Sequence, residues 1–390
     1  MGSYHLFKMD SDSLKTFIDS QGWSFFGIAS FEKIKKNLKK HEKIFQKWIE
    51  KGFQADMDWL RRMKDDRFHP EHVLPEVKSV IVLGANYPNC GAVVERWWGD
   101  GSQSQSLHNE MAPQSLHNRG VVARYARGKD YHKVLKKKLA ELTSFLNSQF
   151  PIPNLPAGRR GSRFYASVDS GPTVDRVLAE AAELGFFGRN TCLINPPRGS
   201  YFFIASLLTD LELPEMPQKP MPACGDCMKC QNACPTGALV ASGQLDARKC
   251  ISYLTIENKE GIPEDLRPRI GNRLFGCDAC QEVCPFNAVS CSDVLIDPLK
   301  PENGAGESLD LKEILSIKSD EEFTERFAGT PLMRAKRCGL LRNACVVAGN
   351  SGEKTLIPFL EELIKREKDD IILDHARWAV NQLKSYGAEG

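Results

Sequence analysis

The stretch Cys224-Gly-Asp-Cys227-Met-Lys-Cys230-Gln-Asn-Ala-Cys234-Pro235 sets four thiols at the spacing C-x2-C-x2-C-x3-C-P. Three cysteines two residues apart can wrap one face of a small iron–sulfur cubane, while the fourth, followed by proline, leaves toward a second cluster. The motif therefore calls for a partner. Cys277-Asp-Ala-Cys280-Gln-Glu-Val-Cys284-Pro285 supplies it in altered form, with Cys250 upstream in place of the missing first thiol. Crossing the fourth ligands, as two-cluster ferredoxins do, assigns Cys224, Cys227, Cys230 and Cys284 to one [4Fe–4S] cluster. Cys250, Cys277, Cys280 and Cys234 then hold the other.

Zinc would use C-x2-C pairs but explains neither the C-x2-C-x2-C run nor the two Cys-Pro ends. Disulfides are the weaker reading of an odd total of 13 cysteines in a chain whose first residues, MGSYHLFKMDSD, carry no export signal. The five remaining thiols, Cys90, Cys192, Cys291, Cys338 and Cys345, show no ligand spacing, and burial in packing is their default.

Length and composition agree with a globular, non-membrane chain. The 390 residues suggest two or three domains, and 42% hydrophobic and 26% charged residues with a net charge of +2 exclude a disordered polyion. No apolar run approaches the roughly 20 residues that span a bilayer. A cytoplasmic protein is expected, with any basic surface local.

Around the cysteines, residues 12 to 215 alternate between helical and strand-like patterns, which predicts an α/β domain. Ser11 or Asp12 can cap a helix reaching about Ser20, and a Lys-rich amphipathic stretch runs from Glu32 to Lys51. Ser79 to Tyr87 reads as a buried strand. Tyr131, Leu135, Leu139, Leu142 and Leu146 share one helical stripe. Arg163 to Val168 is a further strand, and Thr173 can cap a helix burying Val174, Val177, Leu178, Ala181 and Leu184. Between them, Asp169-Ser-Gly-Pro-Thr173 has the turn residues to present Asp169 at a sheet end, as a turn or cap residue or as a carboxylic acid for chemistry. Gln-Ser-Leu-His-Asn occurs twice within Gly99 to Gly120, which reads as a polar loop insertion. After Pro285, stripes at Leu356, Leu360 and Leu363 and at Ile372, Ala376, Ala379 and Leu383 suggest stacked antiparallel helices. Arg334, Lys336, Arg337 and Arg342 form a basic run without an acid, and residues 119–138 hold eight Lys or Arg against one Asp. Both could contact phosphate, and both could equally be solvated helix faces.

Several strings together resemble the epoxyqueuosine reductase family from about residue 12 onward. They are Tyr125-Ala-Arg127-Gly-Lys-Asp130-Tyr131-His132, Val168-Asp169-Ser170-Gly171-Pro172, Gly188-Arg189-Asn190-Thr191, Cys250 to Glu257, Gly276 to Gln281, and Leu340-Leu-Arg342-Asn343. The resemblance implies an α+β multidomain layout: an α/β cobalamin-binding domain (1–215), a ferredoxin-like two-cluster module (216–300) and helical HEAT-like repeats that bind tRNA (301–390). It implies cobalamin fed by two [4Fe–4S] clusters, and reduction of epoxyqueuosine at the tRNA wobble position to queuosine. It implies Asp169 as the proton donor, in a pocket dry enough to raise its pKa, and Arg67, Tyr125, His132, Arg176 and Asn190 around the cofactor. Arg334, Lys336, Arg337 and Arg342 become tRNA contacts. A low-potential electron donor is the other implied partner, and a monomer is expected. The chain departs from the family in reading Gly185-Phe186-Phe187-Gly188-Arg189-Asn190, with Phe for Trp and Arg for Lys, and Arg is not a neutral swap where geometry matters. The D-x-H-x-x-G signature of other cobalamin proteins fails after Asp130-Tyr-His132, at Leu135.

Two other readings compete. A plain ferredoxin-type carrier would not need some 200 residues ahead of the clusters. A reductive dehalogenase would carry a twin-arginine signal and has no use for basic C-terminal helices.

Overall fold

A computed structural model describes residues 11–88, 118–150, 164–216, 220–288 and 296–385. Cys90, Cys291 and the duplicated Gln-Ser-Leu-His-Asn copies lie outside these residues, apart from Asn118 at the end of the second copy.

Helix α1 (Ser11–Ser20) leads into strand β1 (Phe25–Ser30) and the Lys-rich helix α2 (Phe31–Glu50). Ser30 caps α2 by accepting from Lys33 N, and Ile34 and Leu38 anchor its buried face. The remaining strands are β2 (Ser79–Asn86), β3 (Arg119–Val122), β4 (Phe164–Ser167), β5 (Phe186–Phe187), β6 (Leu193–Ile194), β7 (Phe202–Thr209), β8 (Leu239–Ala241), β9 (Gln244–Leu245), β10 (Arg273–Phe275) and β11 (Ser308–Asp310).

The larger sheet runs β1-β2-β7-β4, and every pairing in it is antiparallel. An alternation of helix and strand signals predicts an α/β domain without saying which way its strands run. The connections between these strands are long enough to return the chain in either direction, so the alternation does not fix strand sense. Every residue of β2 is buried, which explains its unbroken apolar run at the sheet centre. The helix Tyr131–Gln149 lays Leu135, Leu139, Leu142 and Leu146 against this sheet together with Trp23, Phe203 and Leu207. Truncating any of these fully buried leucines to alanine costs about 2–5 kcal/mol.

The smaller sheet, β10-β3-β11, draws one strand from each of the three expected domains. Val121 of β3 is opposite Arg273 on one side and Ser308 on the other. Gly120 permits the approach, since a Cβ there would come within 2.6 Å of Leu274 Cβ. Arg119 and Gly120 thus belong to a strand and not to the insertion expected from Gly99 to Gly120. The hydrophobic core around this sheet joins Val122 and Ala126 to Ile251, Leu254 and Phe275 and to Leu340, Leu360 and Leu383. Ile296 and Leu299 pack instead with Leu135 and Leu139. The boundaries expected at 215/216 and 300/301 therefore do not separate the cores.

At the C-terminal end the helices Lys336–Ser351, Ile357–Arg366 and Asp370–Ser385 pack together, and the first is buried on all sides from Leu340 to Gly349. Among the described residues no helix is long and apolar enough to cross a membrane.

Candidate active site and iron–sulfur centre

Asp169 follows the buried end of β4 and Val168, and its φ of +53° puts it in the left-handed region that L-residues seldom occupy. Its carboxylate accepts from the Tyr131 hydroxyl at 2.7 Å, and its backbone N–H donates to Asp175 Oδ2 at 2.8 Å. Asp175 also accepts from Thr173 Oγ1 and Ser206 Oγ, at 3.0 and 3.1 Å. Burial holds the Asp175 carboxyl above the usual carboxylate range, against the pull of the Asp169 amide. Thr173 therefore does not cap the following helix, Asp175–Ala181, whose N-cap Val174 makes no side-chain bond. Its hydroxyl is committed to the turn, bonded to Ser167 Oγ at 2.6 Å as well as to Asp175. A strained residue held by contacts on both sides is the form that functional turns take.

Beneath Asp169 runs a line of aromatic rings. Tyr125 meets Tyr131 edge-on at 6.3 Å, Tyr131 stacks on Phe203 at 4.3 Å, and Tyr87 touches both Phe203 and Tyr201. Burial, reinforced by the Asp169 charge, pushes the Tyr125 and Tyr131 hydroxyls well above their ordinary range, so both stay protonated and can only share their protons. At the far end Asn86 Oδ1 and the Tyr201 hydroxyl are buried without a hydrogen-bond partner. Asp169 itself is exposed, so the side chains of this chain do not by themselves form the dry pocket expected around it.

The other expected cofactor residues divide. Arg67 lies within the fields of Asp175, Asp169 and Arg176, and burial holds its guanidinium below its usual range. Arg176 donates to Thr191 O at 2.5 Å and faces the Phe187 ring. His132 stacks on Tyr131 and bonds through Nδ1 to Asp130, the N-cap of its own helix. Asn190, by contrast, belongs with the cysteines: it lines the first thiol cavity and donates to Cys280 O at 3.3 Å.

That cavity, about 150 Å³, is bordered by Cys224, Cys227, Cys230 and Cys284, with Pro285, Phe286 and Arg189. Burial first, then the Cys224 and Cys230 thiols, push Cys284 up. Cys250 is pushed up by burial and then by Cys234 among its neighbours. Burial likewise takes Cys277 up to about 11, with Cys250 adding to it. Four thiols around a space of this size match the donor chemistry of a cubane cluster. Cys192, expected to serve packing alone, has its thiol beside that of Cys280, which draws it below the ordinary thiol range. Sequence reasoning also assigned no role to Tyr131, which stands in one of the strings that carry the resemblance, or to Asp175, which carried no signal beyond a helix start.

The basic C-terminal run is corrected. Arg342 is 1% exposed and donates to the carbonyls of Leu254, Asn258 and Glu260. Arg337 is paired with Glu367 and donates to Ile317 O. Neither is available to a phosphate: the buried Arg342 guanidinium is committed to three backbone carbonyls, and Arg337 to its ion pair with Glu367. Arg334 is exposed but held bidentately by Glu257 at 2.8 Å, and Lys336 is exposed. In the 119–138 stretch Arg119, Arg124 and Arg127 serve the fold, while Lys129, Lys133, Lys136 and Lys137 are exposed. Lys136 donates to Ser170, beside Asp169.

Two cysteine sets beside a strained carboxylate over an aromatic floor define an iron–sulfur oxidoreductase. Residues 223–287 match the family described as "4Fe-4S double cluster binding domain", and residues 67–170 match "Epoxyqueuosine reductase QueG, DUF1730". Curated relatives named epoxyqueuosine reductase include one from Pseudomonas aeruginosa, 37% identical over 95% of this chain and 94% of its own length. Another, from Escherichia coli, is 34% identical over 89% and 83%. Among solved structures, an epoxyqueuosine reductase from Bacillus subtilis with its aspartate-bearing catalytic loop swung out of the active site has a TM-score of 0.72. It is 30% identical, covering 95% of this chain and 90% of that one. An epoxyqueuosine reductase with an epoxyqueuosine-modified tRNA-Tyr stem loop has a TM-score of 0.69 and 29% identity, over 96% and 98%. The chain belongs to the epoxyqueuosine reductase family.

Proposed function

We propose that this chain reduces the epoxide of epoxyqueuosine in a tRNA anticodon to give queuosine, with Asp169 delivering a proton to the departing oxygen. The observation that carries the assignment of roles is the Asp169 carboxylate held at 2.7 Å by Tyr131 above the aromatic line. Removing an epoxide oxygen as water takes two electrons and two protons, and a positioned carboxylic acid is the side chain suited to supply the proton.

The eight cysteines hold two [4Fe–4S] clusters with crossed fourth ligands, a reading supported by the cavity that Cys284 shares with Cys224, Cys227 and Cys230. The aromatic rings and the unpartnered Asn86 Oδ1 and Tyr201 hydroxyl fit a broad, amide-bearing macrocycle such as cobalamin. Such a corrinoid, when bound, supplies the low-potential metal centre that the reduction requires. Tyr125 and Tyr131 would form its floor, and Arg67, His132 and Arg176 its polar edge. Tyr131 orients the Asp169 carboxylate, and Asp175 fixes the turn that presents it. Lys133, Lys136 and Lys336 are among the exposed cations open to tRNA phosphates, with Arg334 reachable if it leaves Glu257. The C-terminal helices form the HEAT-like part, and the working unit is a monomer.

Anaerobic purification with iron counting and mass spectrometry of the extracted cofactor tests the centre: eight irons with a corrinoid are expected, and zinc would refute it. Asp169→Ala, assayed on epoxyqueuosine-containing tRNA with both cofactors loaded, tests the acid. Full activity would remove Asp169 from the mechanism.

A further inference from the structure

Among the described residues the exposed large apolar side chains are Ile44, Val240 and Met228, at 50%, 43% and 41%. They come from three segments that the fold laces together. On α2, Trp48 lies one turn beyond Ile44 on the same face and donates to Leu245 O of β9 at 2.6 Å, and Lys51 reaches Gln244. The hairpin of β8 and β9 carries Val240, and its Gly243 N–H donates to Arg189 O at 3.0 Å. Arg189 in turn donates to Gly225 O at 2.8 Å and contacts Met228 Sδ at 2.9 Å. These bonds hold the three segments that carry Ile44, Val240 and Met228 side by side.

Their surroundings are basic. Lys43, Lys47 and Lys51 on one side and Lys229, Arg248 and Lys249 on the other are exposed, against the exposed acids Glu50, Asp56, Asp58 and Asp226. Met228 also lies between Cys227 and Cys230. Gly225, Asp226, Met228 and Lys229, which alternate with the first set of thiols, are exposed, whereas Phe275, Gly276, Asp278 and Ala279 around the second set are buried. The loop that carries the first set is therefore one that a large molecule can touch.

We propose that this surface docks an acidic protein electron carrier bearing a flavin or an iron–sulfur group, which reduces the cluster held by Cys224, Cys227, Cys230 and Cys284. The proposal rests on the cluster assignment above. Each docking event oxidises the carrier by one electron and reduces the cluster by one, and two such transfers supply one epoxide reduction. An apolar centre within a charged rim suits a small transient redox interface, in which charge steers encounter and apolar contact seats it. A phosphate backbone has no use for the apolar centre, and lysines beside Asp169 already face the substrate side.

The test uses the cofactor-loaded enzyme and two reductants: dithionite, and a reduced plant-type ferredoxin as the acidic carrier. Val240→Glu and the double variant Lys43→Glu/Lys47→Glu lie away from the cysteines. Each is expected to raise the KM for ferredoxin about tenfold, while iron content and the dithionite-driven rate stay at wild-type values. Bleaching of the cluster absorbance by ferredoxin in wild type should slow as salt rises. An unchanged ferredoxin KM overturns the proposal, as does an equal loss with dithionite. Weakened tRNA binding with unchanged ferredoxin kinetics assigns the surface to RNA instead. Ferredoxin-driven bleaching that the variants slow, in an enzyme that leaves epoxyqueuosine untouched, would keep the docking site and refute the function.

Discussion

The Tyr131 hydroxyl donates to the Asp169 carboxylate at 2.7 Å, joining the first turn of one helix to a left-handed turn after β4. Tyr131 cannot serve as the acid, because burial and the Asp169 charge keep its proton in place. It therefore acts as a positioning residue. Tyr131→Phe keeps the ring stacked on Phe203 and should lower kcat about tenfold with KM for tRNA, iron and corrinoid unchanged. Asp169→Asn should lower kcat by about 10²–10⁴. Single-turnover assays check both, and a Tyr131→Phe effect on KM alone would show that the contact does not orient the acid.

The crossed ligation makes a spectroscopic prediction. Cys284→Ser and Cys224→Ser should alter the same cluster signal in electron paramagnetic resonance, and Cys234→Ser and Cys277→Ser the other. Uncrossed ligation would instead pair Cys234→Ser with Cys224→Ser.

Arg342 and Lys336 lie six positions apart and should behave oppositely. Arg342→Ala leaves three carbonyls without donors and should destabilise the fold by about 3–5 kcal/mol, seen as a lower denaturation midpoint, with no specific effect on RNA. Lys336→Ala should leave stability within about 0.5 kcal/mol and weaken tRNA binding, with a shallower salt dependence. Equal RNA affinity in Lys336→Ala would remove it from the interface.

His375 provides a pH prediction. It is fully buried, its Nε2 accepts from Ile262 N at 3.0 Å and its Nδ1 donates to Ile371 O at 2.7 Å. Burial, the main cause, lowers its pKa from 6.5 to about 4. The depressed folded value means its contribution is fully present above the unfolded pKa and is lost as pH falls from about 6.5 toward 4. The slope approaches 1.4 kcal/mol per unit. Chemical denaturation at pH 7.5, 6.5 and 5.5 should show this slope in wild type and a smaller one in His375→Gln. Parallel curves would assign the acid sensitivity to other groups.

Much of the site was legible because its signals are local. C-x2-C-x2-C-x3-C-P fixes thiols within a few residues of one another, and Asp169 before Ser-Gly-Pro reads as a presented turn. The leucine stripe from Leu135 to Leu146 marked its buried helix face because the 3.6-residue period is a property of a single segment. Arg342 and Arg337 were misjudged for the complementary reason. A cation's role depends on what lies opposite, and here that is Leu254, Glu260 and Glu367, far away in the chain. Strand sense was not legible for the same reason, since long connections leave direction to the packing of β1, β2, β7 and β4.

By itself the sequence determined that the chain carries two four-thiol sets and which short segments hold them, because ligand spacing is built into covalent geometry. Only the tertiary structure decided that Cys284 closes the cavity of Cys224, that Tyr131 holds Asp169, and that β3, β10 and β11 tie three segments into one core. Each of these is a contact between residues distant in sequence, set by the burial of apolar surface and the satisfaction of buried polar groups across the whole fold.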